Sequence, residues 1–188
     1  MGIENITAFS VLKDSELSLL NEKMVSKEFK KDEVLIKKGT IADDIIFLSS
    51  GIVSSIYTNQ SKKFIRDFYF APLVFTEQES FIKRTVCKFS IISVTDIKCQ
   101  LLSYKDLEIA YIKIPRLRAV AYDLLMNGFI NISNRLESLL TLNPEKRYVK
   151  LLNENPHLLH KIPLKMIASY LGITDVALSR IRKRISQK

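Results

Sequence analysis

The stretch "IPLKMIASYLGITDVALSRIRKRI", from Ile162 to Ile185, decides how the C-terminal part of this chain folds. Pro163 suits the first position of a helix, and the apolar residues after it recur at the three- and four-residue spacing of one helix face. Gly172 interrupts this pattern, and glycine adopts the left-handed conformation that reverses a chain without steric cost. The stretch therefore predicts two helices joined by a tight turn.

The second helix is predicted to begin directly after this turn. Thr174 stands at the capping position, and Ile173 and Leu178 occupy the two positions of a hydrophobic staple around it. A supporting helix, a short turn with glycine and a second helix with an exposed polar face together make a helix-turn-helix.

The exposed face of the second helix is basic. Leu178, Ile181 and Ile185 share the apolar face, and because successive helical residues turn by about 100°, the polar residues are left on the other side. Arg180 can form a bidentate pair with guanine, while flanking cations hold the helix on the phosphate backbone. The residues that we predict to contact DNA are Thr174, Asp175, Val176, Ser179, Arg180, Arg182, Lys183 and Arg184.

Two other interpretations of this basic helix pair are a solvated face and a membrane-surface element. The exposed face lacks the Trp, Phe or Leu that would enter a bilayer. A simple anchor would also have no need of a preceding helix and a glycine turn. We therefore favour DNA binding.

Positive charge is concentrated near the C-terminus. The formal net charge of the chain is +9. Residues 141–188 contain 10 Lys and Arg against 3 Asp and Glu, a net +7, whereas the other 140 residues contain 19 against 17, a net +2. This distribution is typical of a polyanion-binding module joined to a near-neutral one, and charge alone does not identify the polyanion.

The region from about Phe29 to Leu102 is predicted to be mostly β. Short apolar runs alternate there with turn residues such as Gly39, Gly51 and Pro72, which is typical of an antiparallel sandwich or barrel. One strand is predicted to have two distinct faces, because two sets of residues alternate along it. These sets are Phe64, Arg66, Phe68 and Phe70, and Ile65, Asp67 and Tyr69.

A long helix is predicted after Pro115, which suits a first helical turn. The apolar periodicity continues for roughly 25 residues to Leu140 and stops before Pro144, where another helix starts. The long helix needs a partner along its apolar row, either the β module or a second copy of itself. The row consists of Leu117, Ala121, Leu124, Gly128, Ile132 and Leu136.

Several classes of protein are excluded by what the sequence lacks. No run reaches the roughly 18 apolar residues of a membrane span, and the N-terminus has no secretory pattern, so we expect a cytoplasmic protein without membrane contact. Cys87 and Cys99 are too few for a disulfide scaffold or a metal cluster, so we expect reduced, buried thiols and no metal. Without a glycine-rich phosphate loop or a metalloprotease motif, we expect no enzyme.

Several segments in order resemble the catabolite activator and fumarate-nitrate regulator (Crp/Fnr) family of bacterial transcription factors. They are the opening stretch, "FKKDEVLIKKG", "DDIIFLSSGIVSSIY", "LVFTEQESF" and "SIISVTDIKCQLLSYKDL". The resemblance implies an α+β fold in three parts: an antiparallel cyclic-nucleotide-binding-like β-roll (jelly roll) over residues 1–112, a long dimerisation helix over 113–142, and an all-α helix-turn-helix domain over 143–188.

The resemblance also implies an effector pocket, where this sequence departs from the family. Nucleotide-binding members have Gly-Glu and, about ten residues later, Arg followed by Ser or Thr, because a buried phosphate needs charge and aimed donors. The matching positions here are Thr76 and Glu77, then Cys87 and Lys88, so only the glutamate is kept. We therefore expect that cyclic AMP is not a strong effector, and we expect no cofactor. Lys88 or Arg84 could hold an anionic ligand as a point charge, although charges at the end of a loop are more often solvent-facing residues.

The other sensor chemistries of the family do not match either. An iron–sulfur sensor needs four cysteine ligands, and the chain has two. His157 and His160, the only histidines, are assigned to a solvated linker loop rather than to haem. No β-hairpin wing follows the recognition helix before Lys188, so we expect its backbone contacts to be missing or replaced by the basic tail.

The partners implied by the resemblance are double-stranded DNA, a second copy of the chain and RNA polymerase. The competing hypothesis is a cyclic-nucleotide-binding-like sensor that acts through a protein partner rather than DNA. Salt distinguishes the two, since DNA binding weakens steeply with ionic strength and an apolar interface does not.

Overall fold

A computed structural model describes residues 6–60, 62–156 and 161–186. The chain divides into two compact units, of which the first contains Met1–Ser55 and Phe68–Gly128 and the second contains Ile56–Asp67 and Phe129–Lys188. The segment Ile56–Asp67 thus groups with the C-terminal helices, although it is far from them in sequence. His157 and His160 lie outside the described residues.

In the part of the chain that the structure describes, eight strands form two four-stranded sheets, with the orders β1-β8-β3-β6 and β2-β7-β4-β5. The pairings of β8 with β1 and β3, of β3 with β6, and of β2 with β7 are all antiparallel, which confirms the predicted β-roll. The strands are β1 (Val25–Phe29), β2 (Val34–Ile36), β3 (Asp44–Ser50), β4 (Ile52–Asn59), β5 (Lys62–Phe70), β6 (Leu73–Phe75), β7 (Ser90–Ser93) and β8 (Ile97–Ser103).

The first unit has one hydrophobic core. Ile46 of β3, Ile91 of β7 and Leu102 of β8 are fully buried there, and each such side chain stabilises the fold by about 1.5–3 kcal/mol relative to exposure. Cys87 and Cys99 are buried free thiols, as expected. Burial raises the pKa of the Cys99 thiol to about 11, so the unreactive protonated form predominates.

The described helices include the four predicted above and two, α2 and α3, that the sequence prediction missed. After a 3-10 turn at Thr7–Val11 come α1 (Asp14–Asn21), α2 (Gln78–Lys83), α3 (Tyr104–Lys113), α4 (Leu117–Thr141), α5 (Pro144–Glu154), α6 (Leu164–Leu171) and α7 (Asp175–Ser186). Among the described residues, no helix has both the length and the hydropathy of a membrane span.

The missed elements are short or polar. Strand β6 has three residues, α2 has six, and β1 lies at a sheet edge with four of its five residues exposed, so none of them shows a clear apolar period. Helix α3 was missed because it directly follows β8. Its start is a local cap in which the Ser103 hydroxyl accepts a hydrogen bond from the Asp106 N–H at 3.0 Å.

The predicted alternation along β5 is wrong. Ile65 and Phe68 are buried although they belong to opposite predicted sets, and Phe64, from the same set as Phe68, is 50% exposed. The reason is that the two ends of β5 belong to different compact units, so that no single core sets the burial pattern of the whole strand.

Helix α4 has the predicted length and end, but its apolar row is divided between two environments. Leu117 is buried and Leu124 is partly buried in the core of the first unit. Ile132 and Leu136 are exposed, because the helix continues beyond that core. Because this row of residues winds around the helix, it cannot contact a single partner along its whole length.

The turn between β3 and β4 yields a test of the β-roll. Gly51 has a φ of +92°, and a Cβ atom there would lie 2.5 Å from the Asp96 carbonyl oxygen. We expect Gly51→Ala to lower the free energy of unfolding by about 3 kcal/mol or more, from backbone strain and overlap together. Gly39 is the matched control: its φ is +86° with no atom within 4 Å, so Gly39→Ala should cost only about 1 kcal/mol. Equal losses in urea unfolding would contradict this account.

Candidate nucleic-acid interface and effector pocket

The turn between α6 and α7 has the geometry that the sequence predicted. Gly172 adopts the left-handed conformation, with φ 69° and ψ 33°. Its N–H donates to the Ser169 carbonyl at 3.1 Å, and the N–H of Ile173 donates to the Ala168 carbonyl at 3.0 Å. This pair of bonds is the Schellman motif, which satisfies carbonyl groups at the end of a helix.

The beginning of α7 is also as predicted. The Thr174 hydroxyl oxygen accepts a hydrogen bond from the Ala177 N–H at 3.2 Å, and so caps the helix. Leu178 and Ile181 are buried against the rest of the second unit, and Ile185 is half-buried. The apolar face of α7 is therefore covered, and its opposite face is left to solvent.

The exposed face of α7 contains most of the residues predicted to contact DNA. Val176 is 62% exposed, and Thr174, Asp175, Ser179, Arg180 and Lys183 are also exposed. Two of the predicted set differ: Arg182 is half-buried, and a guanidinium nitrogen of Arg184 lies 3.4 Å from a carboxylate oxygen of Glu145 on α5. Arg184 thus joins the two helices in addition to adding positive charge.

Two arginines that the sequence did not indicate hold the end of α6. Arg135 on α4 donates from Nη2 to the Tyr170 carbonyl at 2.8 Å, and its guanidinium carbon lies 3.7 Å from the centroid of the Tyr170 ring. Arg147 on α5 donates from Nε to the Leu171 carbonyl at 3.2 Å and from Nη1 to the Leu142 carbonyl at 2.5 Å. The last carbonyls of α6 are thereby capped from two other helices.

These arginines line a polar cavity of about 250 Å³ within the second unit, together with Lys150, Glu154 and Tyr170. Burial raises the pKa of the Tyr170 hydroxyl above its usual value, and the Arg135 guanidinium partly opposes this shift. Because both guanidinium groups already donate to helix carbonyls, we assign the cavity a structural role.

All of the net positive charge of the chain lies in the second unit. The first unit contains 15 basic and 15 acidic residues, whereas the second contains 14 basic and 5 acidic residues, a net +9. The unit that contains the helix pair therefore holds the whole net positive charge, as is typical of a surface that binds a polyanion.

In the predicted effector pocket, the polar groups bond to the protein itself. The Thr76 hydroxyl donates to the Asp44 carbonyl at 2.8 Å. Glu77 is 4% exposed, and its carboxylate caps α2 by accepting a hydrogen bond from the Ser80 N–H at 2.7 Å. The helix N–H groups that could meet a phosphate thus already have a carboxylate beside them.

Both cations considered for an anionic ligand are paired. Arg84 donates to the Ala42 carbonyl at 2.9 Å, forms an ion pair with Asp43, and lies over the ring of Tyr104. The Lys88 ammonium lies 2.6 Å from a carboxylate oxygen of Glu79, and this hydrogen bond holds the pKa of that carboxyl below its usual value.

The position that matches the family arginine is also unsuited to a phosphate. Cys87 is 2% exposed and belongs to the hydrophobic core, so a ligand would find a thiol there instead of a charged fork. Within the described ranges, no group of three or more His, Cys, Asp or Glu residues could hold a metal ion.

The comparisons agree with this architecture. Residues 26–111 match the family model "Cyclic nucleotide-binding domain". No significantly similar sequence was found among curated proteins.

Solved structures match nearly the whole chain at low identity. The global regulator CLP from Xanthomonas campestris has a TM-score of 0.73 at 15% identity, over 93% of this chain and 92% of that one. FixK2 from Bradyrhizobium japonicum has 0.75 at 16%, over 87% and 85%. A protein from Eubacterium rectale, described as a transcriptional regulator of the Crp/Fnr family, has 0.76 at 13%, over 96% and 88%.

The chain therefore has the fold of the Crp/Fnr-type regulators, and residues 26–111 within it match the model of a cyclic nucleotide-binding domain. The resemblance found in the sequence is confirmed at this level. Two of these similar proteins are described as regulators.

The paired groups in the pocket lead to a test with cyclic AMP. We expect isothermal titration calorimetry to show no saturable binding, or a dissociation constant weaker than about 1 mM, because no described cation at this site lacks a carboxylate partner. Saturable binding at micromolar concentration would show that the pairs open for a ligand, and would contradict this assignment.

Proposed function

We propose that this chain is a DNA-binding transcriptional regulator of the Crp/Fnr type, that it acts as a homodimer, and that its β-roll does not take cyclic AMP in the usual way. The observation that carries the proposal is the exposed face of α7, where Val176, Ser179, Arg180 and Lys183 lie beside one another on a helix held by a capped turn. A helix of this kind fits the major groove, in which side chains can reach base edges.

The chemistry of this face suits direct readout. The Arg180 guanidinium can donate two hydrogen bonds to O6 and N7 of a guanine. Ser179 can donate to or accept from a base edge, and the Val176 side chain can contact a thymine methyl group. Lys183 adds a positive charge within reach of the phosphates, which contributes affinity without sequence preference.

The electrostatics support DNA over a purely protein partner. The net +9 of the second unit is large for its size, and the first unit is neutral. An apolar docking surface for a protein would not need this separation, whereas a polyanion ligand would. RNA polymerase as a partner and a cytoplasmic location remain predictions that fit a regulator of this kind.

Helix α4 supports the dimer through an apolar row that shares only Ile132 and Leu136 with the row first predicted. Tyr122, Phe129 and Leu136 recur every seven residues, and Leu125, Ile132 and Leu139 follow each of them by three. Phe129 is 64% exposed and Leu136 is 56% exposed, although both are large and apolar. A strict seven-residue repeat of this kind is typical of a two-stranded coiled coil.

A dimer also fits the proposed DNA binding. Two recognition helices related by a two-fold axis can enter successive major grooves about 34 Å apart, which doubles the contacts with one duplex. We propose that α4 pairs with α4 of a second copy through the row of exposed apolar residues, while Leu117 and Leu124 stay in the core of their own chain.

The proposed recognition helix can be tested by replacing Arg180. After unbiased footprinting has identified a bound site, we expect Arg180→Ala to weaken binding to that site by about 1–3 kcal/mol, roughly 5- to 150-fold, and to relax the preference at one base pair. Arg116→Ala removes an exposed arginine outside the helix pair and should leave affinity unchanged. Unaltered binding by the Arg180 variant would refute this assignment.

The proposed dimer face can be tested with a charge. We expect Phe129→Arg to raise the dimer dissociation constant by at least about 100-fold in sedimentation experiments, because an unpaired buried charge costs about 3–5 kcal/mol. Asn127→Arg places the same charge on the opposite, exposed side of α4 and should leave the dimer intact. If both variants sediment like the parent protein, the coiled-coil face is not the one used.

A further inference from the structure

The end of the β4–β5 hairpin is a part of the second unit to which the proposed function gives no role. Its residues, Ile56–Asp67, group with the C-terminal helices rather than with the β-roll. Ile65, within this segment, is 6% exposed and therefore buried. The segment is thus anchored in the second unit by Ile65, while Lys62, Lys63 and Phe64 just before it are exposed.

Ser169 fastens this hairpin end to α6, the supporting helix of the helix pair. The Ile65 N–H donates to the Ser169 hydroxyl oxygen at 2.9 Å, and the same hydroxyl donates to the Lys63 carbonyl at 3.3 Å. Strand β5 is the last strand of its sheet, so one of its edges pairs with no strand among the described residues. A single hydroxyl therefore satisfies both a donor and an acceptor of β5.

The segment Ile56–Asp67, which Ser169 holds to α6, is basic. It contains Lys62, Lys63 and Arg66 against Asp67, and so contributes +2 to the net +9 of the second unit. Lys62 and Lys63 are both exposed, as adjacent residues on a strand whose side chains point to opposite faces.

The position of Ser169 on α6 indicates which surface of the second unit these lysines extend. Lys165 is exposed and precedes Ser169 by four residues, so the two lie on the same side of α6, about 6 Å apart along its axis. In a helix-turn-helix the first helix crosses the phosphate backbone beside the groove that the second helix reads. The hairpin lysines are therefore held next to the helix that meets phosphates.

We infer that the β4–β5 hairpin end is a second DNA contact, in which Lys62 and Lys63 bind the phosphate backbone beside the base pairs read by α7. This inference rests on the proposed function and adds a ligand class, the duplex phosphate backbone, to a segment outside the helix pair. Contacts of this type add affinity without sequence preference and make it dependent on salt. The role of Ser169 is to keep the two lysines in register with α6.

The salt dependence of DNA binding tests the inference directly. The affinity of the full-length protein for a mixed-sequence duplex is measured by fluorescence anisotropy over a series of salt concentrations. Each lost phosphate contact should make the slope of log affinity against log salt less steep by about 0.9. We expect Lys62→Gln with Lys63→Gln to reduce the slope by about 1–2.

The matched control is the exposed pair Lys37 and Lys38, which lies in the neutral first unit. Lys37→Gln with Lys38→Gln makes the same change in net charge and should leave the slope as it is. A retained slope in the Lys62 and Lys63 variant would overturn the inference. Equal reductions in both double variants would overturn it as well, since net charge alone would then explain the effect.

Ser169→Ala tests the attachment of the hairpin while both lysines are kept. We expect this variant to make the slope less steep, and we expect no further reduction when it is combined with the Lys62 and Lys63 substitutions. A full additional reduction in the combined variant would overturn the anchoring role. If the parent protein shows no salt-dependent DNA binding at all, the proposed function itself fails. If the parent protein binds DNA and the Lys62 and Lys63 variant keeps the parent slope, only the proposed role of the hairpin fails.

Discussion

The capped end of α6 is the constraint on which the proposed recognition surface depends. A helix leaves its last carbonyl groups without partners, and here Arg135 and Arg147 donate to those of Tyr170 and Leu171. Gly172 then turns the chain at a positive φ, and α7 starts at once. Since the guanidinium groups come from α4 and α5, three helices fix the point at which α7, the proposed recognition helix, begins.

The separation of charge gives the two units different roles. The first unit is neutral overall, and the cations beside its predicted effector pocket are paired with carboxylates. The second unit holds the entire excess of positive charge, including two lysines contributed by a β-hairpin. The first unit lacks the arginine that nucleotide-binding members of the family use, and its core packs the beginning of α4.

Local patterns allowed the helix pair to be predicted almost residue by residue. Glycine at the turn, threonine at the cap and the apolar spacing all act over a few neighbours, so their effect does not depend on the rest of the chain. The effector pocket was predicted only as a departure from a family pattern. Local patterns do not predict the ion pairs Lys88–Glu79 and Arg84–Asp43. The partners of the second pair are 41 positions apart in the sequence.

The sequence by itself determined the long α4, the helix-turn-helix and the concentration of charge, since each follows from periodicity or composition. Tertiary structure decided which faces of those elements are free. On α4, Leu117 is buried and Phe129 is exposed, because the core of the first unit covers only the beginning of that helix. Tertiary structure also joined Ser169 to a strand 104 residues earlier, a contact that no local pattern encodes because only the packed chain brings the two together.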